Sequence, residues 1–151
     1  MGQKNNQLKE AEHFAELICD LMRTCNISEE FFASSFNISP AEFRLLKVFF
    51  FTESISVKAL CEKLNLSPGR ITQIVKNLEE KKFVKRSSDI SDKRNTIVTL
   101  TTKSKPFITN LYDSHIKIHQ NLLNQLDQEK RDALAHLLEI LIQDFKKRIS
   151  K

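Results

Sequence analysis

The sequence predicts a mainly α-helical chain with one small β-hairpin, and three observations carry that prediction. Gly occurs only twice and Pro three times in 151 residues, so turn-forming residues are scarce and long helices with few loops are expected. Apolar residues recur at helical spacing near the N-terminus, where Ala11, Phe14, Ala15, Ile18, Leu21, Met22 and Cys25 form one stripe over four turns. Between the helical ends, FVKRSS and NTIVTLT are rich in β-branched residues and enclose the polar DISDKR, which reads as two strands joined by a charged tip.

The remaining elements follow in order. Around Asn37 to Pro40 the chain offers a helix cap with Pro at or near the first turn, and AEFRLLKVFFF is apolar enough to be a buried helix. Thr52 to Ser56 breaks it. Two shorter helices are predicted from Ser56 or Val57 to Leu64 and from Pro68 to about Lys82, with Ser67 placed to cap the second. After Thr101 the helical period returns: Ile108, Leu111, His115, Ile118, Leu122 and Leu126 make one stripe, and Leu134, Leu137, Leu138, Leu141, Phe145 and Ile149 another, with a short turn near Asp127. The terminal helices are long and one-sided, so part of their apolar area is expected to bury against a second subunit; an intramolecular bundle is the alternative.

SVKALCEKLNLSPGRITQIVKNL fits a helix-turn-helix position by position. Leu60, Leu64, Leu66, Ile71 and Ile74 fall where the two helices must pack, Cys61 takes a crowded site that needs a small side chain, and Asn65 takes the turn position that favours left-handed backbone. The face left outward carries Ser67, Gly69, Arg70, Thr72, Gln73, Lys76 and Asn77, a set of donors and acceptors with almost no apolar bulk. In such a motif the second helix enters the major groove. Gln73 suits adenine, Arg70 suits guanine or a phosphate, Thr72 suits a thymine methyl, and Lys76, one turn further on, suits a phosphate.

Charge points the same way. The net charge is +5, but residues 67–106 hold ten Lys or Arg against four Asp or Glu, leaving the rest of the chain near neutral. A basic segment in a neutral frame suits a polyanion, although a solvated basic face has the same composition. No apolar run approaches the roughly 18 residues needed to span a bilayer and no basic-then-apolar leader opens the chain, so a soluble cytoplasmic protein with no membrane partner is expected. The three cysteines, Cys19, Cys25 and Cys61, lack CxxC spacing and fit reduced thiols. No nucleophile, base and orienting group come together, and two glycines cannot build a phosphate-cradling loop, so an enzyme is not expected and no cofactor is called for.

From SPAEFRLLKVFF through LNLSPGRITQIVKNLEEKKFVKRSSDISDKRNTIVTLTTKS the chain resembles the MarR family of winged helix-turn-helix transcriptional regulators. The most specific part is Asp92, Lys93, Arg94 and Asn95 followed by a strand and Leu100, Thr101. The resemblance implies that Asp92 orients Arg94, that Arg94 reaches into a minor groove, and that Lys93 belongs to the same DNA-contacting tip. It implies one chain, 1–151, with a DNA-binding part at 38–101 flanked by dimerisation helices at 5–36 and 102–151. The sequence departs from the family pattern at Lys82, where Gly commonly precedes the first wing strand, and at Ser104, where LTxxG is usual. The first bears on helix-end geometry, because a side chain makes left-handed backbone costly.

The implied function is a homodimeric repressor of transcription on a pseudo-palindromic double-stranded operator, released by a small molecule or an oxidant. Cys19 and Cys25 are the candidate redox residues, although Asp20 beside Cys19 works against a thiolate and Cys25 lies on the apolar stripe. His115 and His119, four apart, have metal-holding spacing, but of the further ligands that zinc-responsive relatives use only Glu42 is present and Phe43 is not a ligand type, so no metal is expected. Phe31, Phe32, Phe36, Phe43, Phe49, Phe50 and Phe51 crowd the region where relatives accommodate aromatic acids, which suits either a core or a small aromatic effector. A helical interaction protein that does not bind DNA is the other reading.

Overall fold

The computed structural model describes residues 2–89 and 95–149. It divides into two units, Met1–Ile108 and Thr109–Lys151. In the first, α1 (Gly2–Ser35) is followed by α2 (Pro40–Val48), β1 (Ser54–Ser56), α3 (Val57–Leu64), α4 (Pro68–Glu80), β2 (Val84–Ser88) and β3 (Thr96–Leu100). A short 3-10 turn, Thr102–Ser104, leads into α5 (Lys105–Leu123), and α6 (Gln128–Ile149) completes the second unit.

Local chemistry sets these boundaries. Asn37 adopts left-handed backbone (φ 55°) and ends α1, with Asn37 N–H donating to the Ser34 carbonyl (3.0 Å) and Ile38 N–H to that of Ala33 (3.2 Å). Ser39 then caps α2: its hydroxyl accepts from Glu42 N–H (3.2 Å), and the Glu42 carboxylate accepts from Ser39 N–H (2.7 Å), a reciprocal capping box with Pro40 at the first helical position. Ser56 and Ser67 cap α3 and α4 through their hydroxyls alone, which accept from Ala59 N–H (3.1 Å) and Arg70 N–H (3.4 Å), and Asp127 accepts from Lys130 N–H (2.9 Å) at the start of α6.

The core of the first unit is built from Phe32, Phe43, Leu45, Leu46, Phe49, Leu60, Ile71, Val75, Leu78, Val84 and Val98, all buried. Phe83 stacks on Phe107 at 4.4 Å between ring centroids, and Phe36 meets Phe107 edge-on at 5.8 Å. Phe32, Phe43 and Phe49 are therefore core side chains, whereas Phe31 and Phe51 are 78% and 83% exposed.

Three features differ from the sequence reading. The hairpin is part of a three-stranded antiparallel sheet ordered β1-β3-β2, in which Ile55 pairs with Val98 and Arg86 with the same residue from the other side. The helix expected to run through Phe51 stops at Val48, because Phe49 and Phe50 donate to carbonyls three residues back (Leu46 and Lys47) and tighten the turn. Leu66 is 37% exposed rather than packed: it follows left-handed Asn65 (φ 51°) and its N–H folds back on the Cys61 carbonyl (3.2 Å), which carries the side chain out of the helix interface.

Candidate nucleic-acid interface

The outward face of α4 is defined by what the helix buries. Ile71, Ile74, Val75 and Leu78 recur at three- and four-residue spacing and are buried, while Ser67, Gly69, Arg70, Thr72, Gln73 and Lys76 are exposed and Asn77 is half-buried. The sequence-predicted set therefore lies together on one helix face. Several of its members are held in place by that helix. The Thr72 hydroxyl donates to the Pro68 carbonyl (2.8 Å). The Gln73 amide donates to Asn77 Oδ1 (2.9 Å), and Lys76 stands 4.0 Å from Glu80. Ser67 caps the helix through Arg70 N–H, and the Arg70 guanidinium forms no ion pair among the described residues.

The hairpin joins α4 through a left-handed corner. Lys82 has φ 62°, Lys82 N–H donates to the Glu79 carbonyl (2.9 Å) and Phe83 N–H to that of Leu78 (2.9 Å), the paired bonds of a Schellman end normally built on Gly. The Thr101 hydroxyl donates to the Lys82 carbonyl (2.8 Å) and Thr101 N–H to that of Phe83 (3.0 Å), so the corner is held from β3 as well. Asp89 N–H donates to the Asn95 carbonyl (2.9 Å). Asp92, Lys93 and Arg94 lie outside the described residues. The other departure, Ser104, is buried, and its hydroxyl donates to the Thr101 carbonyl (2.8 Å).

Not all of the basic charge faces outward uncompensated. Arg86 is bound by Glu79, Lys81 lies 2.8 Å from Glu42, and Lys105 pairs with Glu53. Two of those carboxylates lie outside the basic stretch of sequence, so counting charges along the chain overstates the field at this surface. Burial pushes the Glu42 carboxyl upward, but hydrogen bonds from Lys81 and from Ser39 N–H, with the Lys81 charge, outweigh it and hold the group below its ordinary value. The Arg86 guanidinium and its backbone N–H hold Glu79 low.

The sensing candidates are separate from this surface in sequence. Cys19 and Cys25 are exposed on α1, and Cys61 is half-buried on α3. His115 and His119 meet edge-on with centroids 4.7 Å apart on α5. Glu42 is engaged by its cap and by Lys81, and no group of three or more metal-ligating side chains occurs among the described residues.

Residues 25–96 match the MarR family. The backbone agrees over a much longer span: the fold of Streptococcus pneumoniae FabT, solved in complex with DNA, superposes with a TM-score of 0.81 at 18% identity, covering 91% of this chain and 98% of that one. Residues 25–96, a little under half of the chain, are thus similar to the MarR family. A MarR transcriptional regulator from Methanosarcina mazei gives a TM-score of 0.76 at 22% identity over 90% of this chain and 98% of its own. Among curated relatives, the HTH-type transcriptional regulator SarZ of Staphylococcus saprophyticus is 32% identical over 82 residues, 54% of this chain and 53% of SarZ. Its counterpart in Staphylococcus aureus is 29% identical over 93 residues, 62% of each chain. The chain thus spans a little over half the length of the curated relatives it matches. The segment that matches the MarR family contains α2, α3, α4, β2 and the first residue of β3, the elements that carry the polar face and the hairpin.

Proposed function

We propose that this chain is a MarR-type regulator of transcription, homodimeric and sequence-specific in binding DNA, acting as a repressor that a small molecule or oxidant releases. The observation that carries the reading is the polar face of α4: Arg70, Thr72, Gln73 and Lys76 stand exposed on the second helix of a helix-turn-helix whose other side is packed. Arg70 and Gln73 supply base-edge recognition, Thr72 offers a methyl to thymine, and Lys76 takes a phosphate. Asp92, Lys93 and Arg94 are assigned to the wing contact by family resemblance. The DNA-binding part is 38–101, and 5–36 with 102–151 are the dimerisation helices.

Dimerisation is supported by apolar side chains that a lone chain leaves in water. On α1 these are Leu8, Phe14, Leu17, Leu21, Met22 and Ile27, and on α6 they include Leu137, Ile140, Ile142 and Ile149. No residue of α6 is buried within the single chain. SarZ is a transcriptional regulator and FabT is solved in complex with DNA, and both agree with the reading.

A mobility-shift assay on duplex DNA over a salt series tests it. Binding should fall steeply with salt, because every phosphate that Lys or Arg neutralises releases counterions. Half-sites recovered by selection should lie about one helical turn apart. Absence of duplex binding at low salt, or binding with no salt slope, would exclude this function in favour of a helical interaction protein.

A further inference from the structure

Where the backbone calls for glycine, this chain does without it. Its three left-handed positions among the described residues are Asn37, Asn65 and Lys82, and none is Gly. Gly69, in contrast, sits second in the right-handed helix α4, where its φ is not positive. Nor does packing account for it, since a Cβ built on Gly69 meets nothing within 4 Å beyond its chain neighbours and the backbone of its own helix. A helix favours Ala over Gly, so neither local structure nor the core explains the choice. What Gly69 provides is a bare Cα on an exposed surface.

We infer that Gly69 is the point of closest approach between α4 and a DNA duplex, its missing side chain serving as clearance. The inference rests on the DNA-binding function proposed above. An α-helix with its side chains is about 10–12 Å across and the major groove about 12 Å wide, so the fit leaves no slack for a methyl group on the inserted face. Gly69 lies in the first turn of α4, the part of such a helix that meets base edges, between Ser67 and Arg70 and one turn before Gln73. It therefore sets the depth from which Arg70 and Gln73 reach the bases.

The test uses the full-length protein and a duplex that wild type enriches from a random-sequence pool. Gly69→Ala, Gly69→Ser and Gly69→Val are compared for thermal melting and for affinity to that duplex. Gly69→Ala should melt at or above the wild-type temperature yet bind roughly tenfold more weakly, about the cost of one ill-fitting contact in a specific interface, and Gly69→Val should bind more weakly still. Equal affinity of Gly69→Ala and wild type, or a loss that does not grow from Ala to Val, would overturn the inference while the DNA-binding function stands. Failure of wild type to enrich any duplex would overturn that function first, and this inference with it.

Discussion

Glu79 and Arg86 are joined across the corner between α4 and β2 by three contacts. One carboxylate oxygen accepts from Arg86 N–H (3.0 Å), and the other meets Nε at 2.9 Å and Nη2 at 2.7 Å. Because β3 lies between β1 and β2, β2 is an edge strand, and its outward N–H at Arg86 has no neighbouring strand to receive it. Glu79 supplies the missing acceptor, and the same group fixes the angle at which the hairpin leaves the helix.

Both side chains are about a third exposed, so the pair is partly screened by water. Glu79→Gln and Arg86→Gln should each cost about 0.5–1 kcal/mol of stability. A double-mutant cycle by urea denaturation checks this. The double variant should be less destabilised than the sum of the two, and strict additivity would show that the two side chains are not coupled.

Glu42 and Lys81 form the more consequential pair, since Glu42 is 3% exposed and its carboxylate serves both the α2 cap and the Lys81 ammonium. Lys81 also approaches the Asn37 carbonyl at 3.4 Å, so the ends of α1, α2 and α4 meet at one cation. Lys81→Met should cost about 1–2 kcal/mol, less than a fully buried pair because Lys81 is 41% exposed. The pH dependence has a definite sign. Glu42 is held below its ordinary 4.5, so its contribution is complete above that value and disappears as pH falls through the lowered one. Urea midpoints between about pH 3 and 6 should show wild type losing stability on the acid side, and Lys81→Met losing less. Parallel curves for the two proteins would argue against the assignment.

Lys82 holds a conformation that its Cβ makes costly, stabilised by the Schellman bonds and by the Thr101 hydroxyl. Lys82→Gly should raise stability by about 0.5–1 kcal/mol, the steric relief exceeding the added freedom of the unfolded chain. Calorimetry on the two proteins checks it, and a lower melting temperature for the Gly variant would mean that the Lys side chain makes a stabilising contact of its own.

These residues also show what could be read from the sequence. Asn65 in left-handed backbone, Ser67 as a cap, and Ile71 and Ile74 as packing positions were legible because each depends on neighbours within a few residues. The outward polar set followed from them by helical period. β1 was not legible, because Ser-Ile-Ser is too short to show an alternation and becomes a strand only beside β3. The ion pairs were equally hidden. Nothing local to Glu42 marks it as the partner of Lys81, thirty-nine residues on, and the contact exists only because three helix ends converge. Gly69 was visible as part of the polar face, but that no internal contact requires it could be seen only with the surrounding atoms in place.

The three-stranded order has a consequence for the sequence of events in folding. β2 and β3 are neighbours along the chain and can zip locally, whereas β1 cannot find β3 until α3, α4 and β2 have brought the two together. The short strand that feeds into the helix-turn-helix is therefore the last to dock and the first to peel away. Two adjacent amides report on this, since Leu100 N–H donates toward β1, to the Glu53 carbonyl, and Thr101 N–H donates toward β2, to that of Phe83. Under native conditions the Leu100 amide should exchange its hydrogen before that of Thr101, and the reverse order would mean that β1 is secured first.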